Sequence, residues 1–336
     1  MADARLVVAR AGPLVSFQDA GRPGHLRYGV SASGPMDRLA HAAANLAIGN
    51  DPRATAIEVS LGGLTLDCLA GRATVAVSGG SFLVDVGGEH RPAWSATTVQ
   101  PGQRLTIKSG TWGSWAYVAV SGEIDVPHWL GSTSTHSMSG FGGGVLRPGD
   151  DVVVRGARVC DERAGAIPIP DLARPTSSVR VVMGPQDRHL DDAAVVAFRS
   201  SEFELTDAYD RMGVRLAGPL LALDGSLSIP SEPIMRGSIQ VAGDGVPTVL
   251  LADHQTTGGY PKIATVLSCD LDRFVQHRAG DAVRFEAVSP ADAIVAARAA
   301  ASETAIRLAG IAEPGRTLEH RLRAENLIGG AVTTDE

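Results

Sequence analysis

The chain has 336 residues, enough for two domains, and 44% of them are hydrophobic, enough to fill two cores. Its net charge of −7 leaves no electrostatic footprint for nucleic acid, and no polybasic segment suits an anionic membrane. The cysteines Cys68, Cys160 and Cys269 are widely separated and the nine histidines show no HxxxH or HExxH spacing, so neither a disulfide framework nor a bound metal is expected.

Aromatic residues make up only 4% of the chain, whereas Gly (39) and Pro (19) punctuate many short Val-rich runs. This pattern predicts a mainly β protein with tight turns. The start lacks a signal-peptide core and no stretch reaches the roughly 18 apolar residues of a membrane span, so a cytoplasmic protein is expected.

A strand is predicted over Arg5–Arg10, followed by a shaped loop containing Gln18-Asp19-Ala20-Gly21-Arg22. A helix is predicted from about Pro35 to Ile48, capped by Ser33 or Gly34, with Leu39, Ala43, Leu46 and Ala47 on its apolar face. Short strands then follow at Ala56–Val59, Leu64–Leu66, Ala73–Val77, Ser81–Val86, Thr97–Val99, Arg104–Ile107 and Trp115–Val120, in barrel or sandwich patterning. All four tryptophans fall between Trp94 and Trp129, and core packing is the expected reason. Ser132–Ser137 followed by Gly140–Gly144 has the composition of a weak anion cradle, but also of a mobile surface segment.

Residues 1–160 read as one domain, and the Pro-containing stretch 161–178 as a linker. A second domain spans 179–310, with strands at Val179–Met183, Ser226–Ile229, Ser238–Val241, Thr248–Ala252 and Ala282–Ala287. An Ala-rich helix capped by Ser289 closes it at about Gly310, and a frayed tail is expected over 311–336.

The segment 253–265 concentrates chemistry. It holds Asp253, Gln255, Tyr260 and Lys262 around Gly258-Gly259, glycines that permit positive φ or close ligand approach. Lysine occurs only at 108 and 262, so every other basic residue is Arg. A Lys kept in this loop suits a role needing a compact ammonium; the bland alternative is a solvated residue starting a short helix. Gln240 and Gln255 offer the paired donor and acceptor that a lactam or ureido group requires. For Gln240 a strand residue satisfying a barrel end is an equal alternative, and for Asp210 and Arg211 a turn-bracing pair is the alternative to ligand contact.

Several motifs carry a resemblance: Gln18–Arg22, Ser33-Gly34-Pro35-Met36-Asp37, Gly184-Pro185-Gln186, Asp210-Arg211-Met212-Gly213, Gly237-Ser238-Ile239-Gln240 and the segment from Gln255 to Ala264. In this order they resemble the allophanate hydrolase subunit 2 family, also called the biotin-dependent carboxyltransferase family, from about residue 5 to 288. The chain departs from the family pattern at His254, where an Arg is usual, and at Ala242-Gly243, where a Pro pair is common.

The resemblance implies two cyclophilin-like β-barrel domains and a partner resembling allophanate hydrolase subunit 1. With a third, LamB/YcsF-like subunit, such a pair is implied to act as an ATP-dependent 5-oxoprolinase, opening the lactam 5-oxoproline to glutamate. Fused versions form the carboxyltransferase part of urea carboxylase, where a urea-like substrate and biotin replace the lactam. This chain has no biotin attachment segment and no GxxxxGK[ST] loop. A regulatory role, relieving the partner's inhibition of a sporulation kinase, is a third implication.

Phosphoryl activation of a lactam needs cations, for which Lys262, Arg211 and Arg236 are candidates. Carboxyl transfer needs a donor to the ureido oxygen, such as Lys262 or Tyr260, and a base, such as Asp253. Asp210, Arg211, Arg236, Gln240, Gln255, Gly258 and Gly259 are the expected substrate-binding residues.

Overall fold

The structure, a computed structural model, describes residues 2–224 and 228–313. The expected strand Ser226–Ile229 and the expected tail 311–336 therefore fall partly outside the described residues. The chain is mainly β, with four α-helices among the described residues.

The first half arranges its strands in two sheets. One has seven strands in the order Glu123–Ile124, Asp151–Ala157, Ala2–Ala11, Leu64–Ala70, Arg104–Lys108, Leu83–Val86, Glu89–Pro92. The other has six, in the order Gly165–Ala166, Ser95–Val99, Ala73–Ser78, Trp115–Val120, Ala56–Ser60, Ser16–Gln18. Leu6, Leu66 and Leu105 of the first sheet join Ile57, Val75 and Val118 of the second in one core.

Helix α1 (Arg38–Ala47) packs on the strands Ala73–Ser78 and Trp115–Val120. With both faces covered, every residue of these two strands is buried, which is why they read as continuous apolar runs. Asp151–Ala157 alternates buried and exposed positions instead, as a half-solvated strand must.

The cap of α1 differs from expectation. Asp37, not Ser33 or Gly34, caps it, its Oδ1 accepting a hydrogen bond from the Ala40 amide at 2.8 Å. Gly34, Pro35 and Met36 are committed to contacts that reach Arg211, Arg236 and Glu58, so the helix starts after them. Of the tryptophans, Trp94 and Trp115 are core residues. Trp129 lies only partly buried, beneath the Arg22 guanidinium (4.9 Å) and against Phe141 (4.8 Å).

The stretch 161–178 is pinned to both halves: Gly165 and Ala166 pair with Ala96 and Ser95 of the first, the Arg174 carbonyl accepts from Arg273 Nε of the second at 2.8 Å, and Ile167 and Ala173 are buried. The second half is a closed seven-stranded barrel in the order Ser178–Met183, Lys262–Val266, Ser238–Val241, Pro247–Leu250, Gly213–Ala217, Glu202–Tyr209, Ala282–Ala287. Helix α2 (Asp192–Ser200) packs against Ala282–Ala287, where Phe198 stacks on Phe285 at 4.9 Å. The short helix α3 (Leu271–Phe274) follows the strand Lys262–Val266. Ser289 caps helix α4 (Pro290–Ala312) as expected, and α4 returns to pack on α1. A two-stranded ribbon, Glu232–Pro233 with Thr257–Gly258, lies outside the barrel sheet.

Candidate functional site

A cleft of about 620 Å³ opens on the barrel, lined among others by Tyr209, Asp210, Met212, Gln240, Gln255 and Tyr260. Gln240 sits in the strand Ser238–Val241, with Thr248 and Lys262 as its cross-strand partners. Its Oε1 accepts a hydrogen bond from Gln255 Nε2 at 3.2 Å, which links the two amides that the sequence singled out. Tyr260 is 45% exposed and lines the same cleft.

Gly258 and Gly259 serve this site through space and not through φ, since neither has the positive φ that the sequence allowed for. A Cβ on Gly258 would stand 2.6 Å from Gln240 Nε2, and one on Gly259 would stand 3.0 Å from the Ile229 carbonyl oxygen. Glycine here is what lets the ribbon approach the glutamine pair.

Lys262 does not start a helix; it opens the strand Lys262–Val266. Its side chain is almost fully buried and, among the described residues, Nζ has no hydrogen-bond partner. The nearest carboxylate oxygen is Glu232 Oε2 at 3.6 Å, on the ribbon. Gln186 joins these groups: its Oε1 accepts from the Lys262 amide at 3.1 Å and its Nε2 donates to Glu232 Oε2.

The remaining charged candidates are placed elsewhere. Arg211 is buried between the halves, where it pairs with Glu58 and donates to Asp253 (2.9 and 3.1 Å) and to the Gly34 carbonyl (2.7 Å). Asp253, expected as a base, also accepts from the Ser137 amide at 3.0 Å. Burial opposes its ionisation, but the Arg211 charge and these hydrogen bonds win and hold its pKa down at about 2. A carboxylate so saturated is a poor proton acceptor, and it does not line the cleft.

Arg236 donates to the carbonyl oxygens of Pro35 (3.1 Å) and Met36, so it too binds the first half and not the cleft. Asp210 lines the cleft, but its Oδ1 braces the turn by accepting from the amides of Met212 (2.7 Å) and Gly213 (3.2 Å). His254 is buried with Nδ1 at 2.6 Å from the Gln255 carbonyl, and burial lowers its pKa.

Sequence reasoning missed Glu58 and Glu232 and saw Gln186 only as part of a motif. A lone Glu inside the apolar run Ala56–Val59 was the available signal for Glu58. Its Oε2 accepts from Tyr117 Oη (2.7 Å) and the Met36 amide (2.8 Å), so a buried network runs from the first half to Arg211. Nothing in the sequence around Glu232 marks it.

The weak anion cradle does not suit a phosphate. Ser132 to Thr135 are buried, and the Ser132 and Ser134 hydroxyls (both 2.6 Å) and the Thr133 amide (2.8 Å) all donate to the Asp19 carboxylate. An internal anion already uses these donors and would repel a second. Among the described residues no group of three or more His, Cys, Asp or Glu could hold a metal ion, and no helix is long and apolar enough to cross a membrane.

Residues 28–287 match the family described as carboxyltransferase domain, subdomain A and B. The chain is 34% identical over 301 residues to a 5-oxoprolinase subunit from Escherichia coli K12, covering 87% of this chain and 94% of that protein. The crystal structure of TTHA0988 superposes with a TM-score of 0.76 at 31% identity; it covers 84% of this chain, which spans only 55% of that one. Kluyveromyces lactis urea carboxylase superposes with a TM-score of 0.78 at 27% identity, covering 93% of this chain and 29% of that one. Because the family match takes in most of the first half and the whole barrel, the chain belongs to the carboxyltransferase domain, subdomain A and B, family.

Proposed function

We propose that this chain is a non-autonomous subunit of an ATP-dependent 5-oxoprolinase, which opens 5-oxoproline to L-glutamate. The observation that carries the reading is a match that covers 87% of this chain and 94% of a bacterial 5-oxoprolinase subunit, against 29% of the urea carboxylase chain. The cleft is chemically compatible. A lactam presents one N–H donor and one carbonyl acceptor, and the linked amides of Gln240 and Gln255 offer both complements.

In this reading Gln240 and Gln255 orient the lactam, Tyr260 donates toward its oxygen, and Lys262 supplies positive charge beside them. ATP activates the lactam oxygen by phosphorylation. The stretch of this chain with the composition of an anion cradle is filled by Asp19 and takes no part in holding the nucleotide in this reading. The partners are a protein like allophanate hydrolase subunit 1 and a LamB/YcsF-like subunit, acting together in the cytoplasm.

The test is ATP-dependent glutamate release by the co-purified complex of all three proteins, comparing wild type with Lys262→Met. A fall of about 10²-fold with assembly intact is expected, the scale of losing one preorganised charge-stabilising group. Unchanged activity would point instead to a binding or regulatory subunit. The likeness to urea carboxylase favours one second reading, carboxyl transfer from carboxybiotin to a urea-like nitrogen. An assembled complex that releases no glutamate but carboxylates urea in the presence of a biotinylated carrier would establish it.

A further inference from the structure

We propose that Lys262 and Gln186 form a seat for a ligand carboxylate, and that Glu232 fills that seat as an internal stand-in until such a ligand arrives. The inference deepens the 5-oxoprolinase reading and rests on it for the identity of the ligand.

A buried ammonium without a hydrogen-bond partner is costly, so the site is built for an acceptor that completes it. Lys262 is 3% exposed and its Nζ lacks such a partner among the described residues. Glu232 supplies charge but not a bond, because 3.6 Å exceeds the reach of an N–H···O interaction. The Gln186 amide is fixed in orientation, since its oxygen is held by the Lys262 main chain, and only its N–H₂ faces the carboxylate. Two donors of different origin thus converge on a single acceptor position.

The present occupant accepts a bond from Gln186 but lies half exposed at the edge of the seat. The Glu232 side chain is 48% exposed, and it rides on a ribbon of two residues paired with two, where Glu232 faces Gly258 and Pro233 faces Thr257. Outward movement of that ribbon breaks no pairing within the barrel sheet.

The seat also adjoins the cleft. Glu232 pairs with Gly258, where a Cβ would stand 2.6 Å from Gln240 Nε2, and Lys262 opposes Gln240 at an irregularity in the strand register. A ligand with its lactam on Gln240 and Gln255 can therefore place a carboxylate toward Lys262 and Gln186. 5-Oxoproline has that layout, with the carboxylate one bond from the ring, whereas 2-pyrrolidinone is the same lactam without it.

The experiment titrates the full chain, wild type, Glu232→Gln and Lys262→Met, with 5-oxoproline, 2-pyrrolidinone and acetate, using calorimetry and thermal shift. Removing the stand-in's charge raises the fraction of open seats, so Glu232→Gln binds 5-oxoproline roughly fivefold or more tighter than wild type. Lys262→Met binds it at least about tenfold more weakly, the scale of one charge-assisted contact. Binding of 2-pyrrolidinone changes less than about twofold in either, because it reaches only the amide pair. Acetate stabilises Glu232→Gln more than the other two proteins.

Equal or weaker 5-oxoproline and acetate binding by a folded Glu232→Gln protein overturns the seat, even if the assembled complex releases glutamate. A gain for acetate without one for 5-oxoproline upholds the seat and removes the 5-oxoprolinase reading instead.

Discussion

Arg211 shows how one side chain can look catalytic and be structural. Its guanidinium is 1% exposed and meets Glu58, both oxygens of Asp253 and the Gly34 carbonyl. Removing one member of a buried charge network strands the others, so Arg211→Met is expected to cost about 3–5 kcal/mol in urea unfolding. Arg5 and Asp151 form an equally well-shaped pair, but their side chains are 51% and 44% exposed, and Arg5→Met is expected to leave the urea midpoint nearly unchanged, because solvent screens the pair. Similar losses from the two would contradict the assignment. A pH series separates two further residues. Burial lowers the His41 pKa from 6.5 to about 4, so the native imidazole stays neutral where the unfolded one binds a proton. Stability is therefore lost as pH falls from about 6.5 to 4, with His254 and His277 shifted in the same direction. The depressed Asp253 carboxyl acts lower: its contribution is whole above the usual carboxylate range and disappears as pH falls toward 2. Thermal melts should accordingly show a shallower slope between pH 4 and 6.5 for His41→Gln than for wild type.

At the scale of elements, the ribbon beside the cleft depends on what glycine omits. In Gly258→Ala the new methyl meets Gln240 Nε2, a movable amide end, so the amide shifts and the Gln240–Gln255 bond is disturbed. The expected result is a loss of 5-oxoproline affinity of about tenfold with a melting temperature within a few degrees of wild type, as for a strained contact at a flexible group. Calorimetry and a thermal melt on the same sample check both halves of that statement. The strands themselves divide by coverage. Ala73–Ser78 and Trp115–Val120 were readable because both faces are covered and the apolar run is unbroken. Asp151–Ala157, Glu202–Tyr209 and Gly213–Ala217, whose alternate positions face solvent and carry charge, were not read, whereas Ala282–Ala287 was read despite the same alternation. Helix α1 was readable, but its first turn was not. The Gly34-Pro35-Met36 segment has the composition of a helix start, yet contacts to Arg211, Arg236 and Glu58 hold it as interface.

Across the whole molecule the two halves are bonded into one unit. Besides Arg211 and Arg236, Gln276 donates to Asp37 (2.7 Å) and the Trp115 carbonyl (3.0 Å) and accepts from the amides of Ser114 (2.9 Å) and Trp115 (3.1 Å). Arg38 pairs with Asp272 at 2.9 Å, and α4 lies on α1. These contacts predict a single cooperative endotherm, with calorimetric and van't Hoff enthalpies in agreement. Two resolved transitions in wild type would show that the halves are energetically separate. Gln276→Ala leaves several buried partners unpaired at about 1–3 kcal/mol each, and should lower the melting temperature of that single transition.

The sequence by itself determined the mainly β class, the Ser289 cap of α4, the family, and the concentration of polar chemistry in Gln240, Gln255, Tyr260 and Lys262. These are local properties: periodicity, turn residues and short motifs act within a few positions. Only the tertiary structure decided which polar groups are already satisfied. Arg211 meets Asp253 across 42 positions and Glu58 across 153, and those partners turn reactive-looking residues into a buried brace. Among the described residues Lys262 ends with no hydrogen-bond partner at its ammonium. Whether a charged group is consumed or left available depends on what the folded chain brings within about 3 Å of it, and that distance is set by packing between elements far apart in sequence.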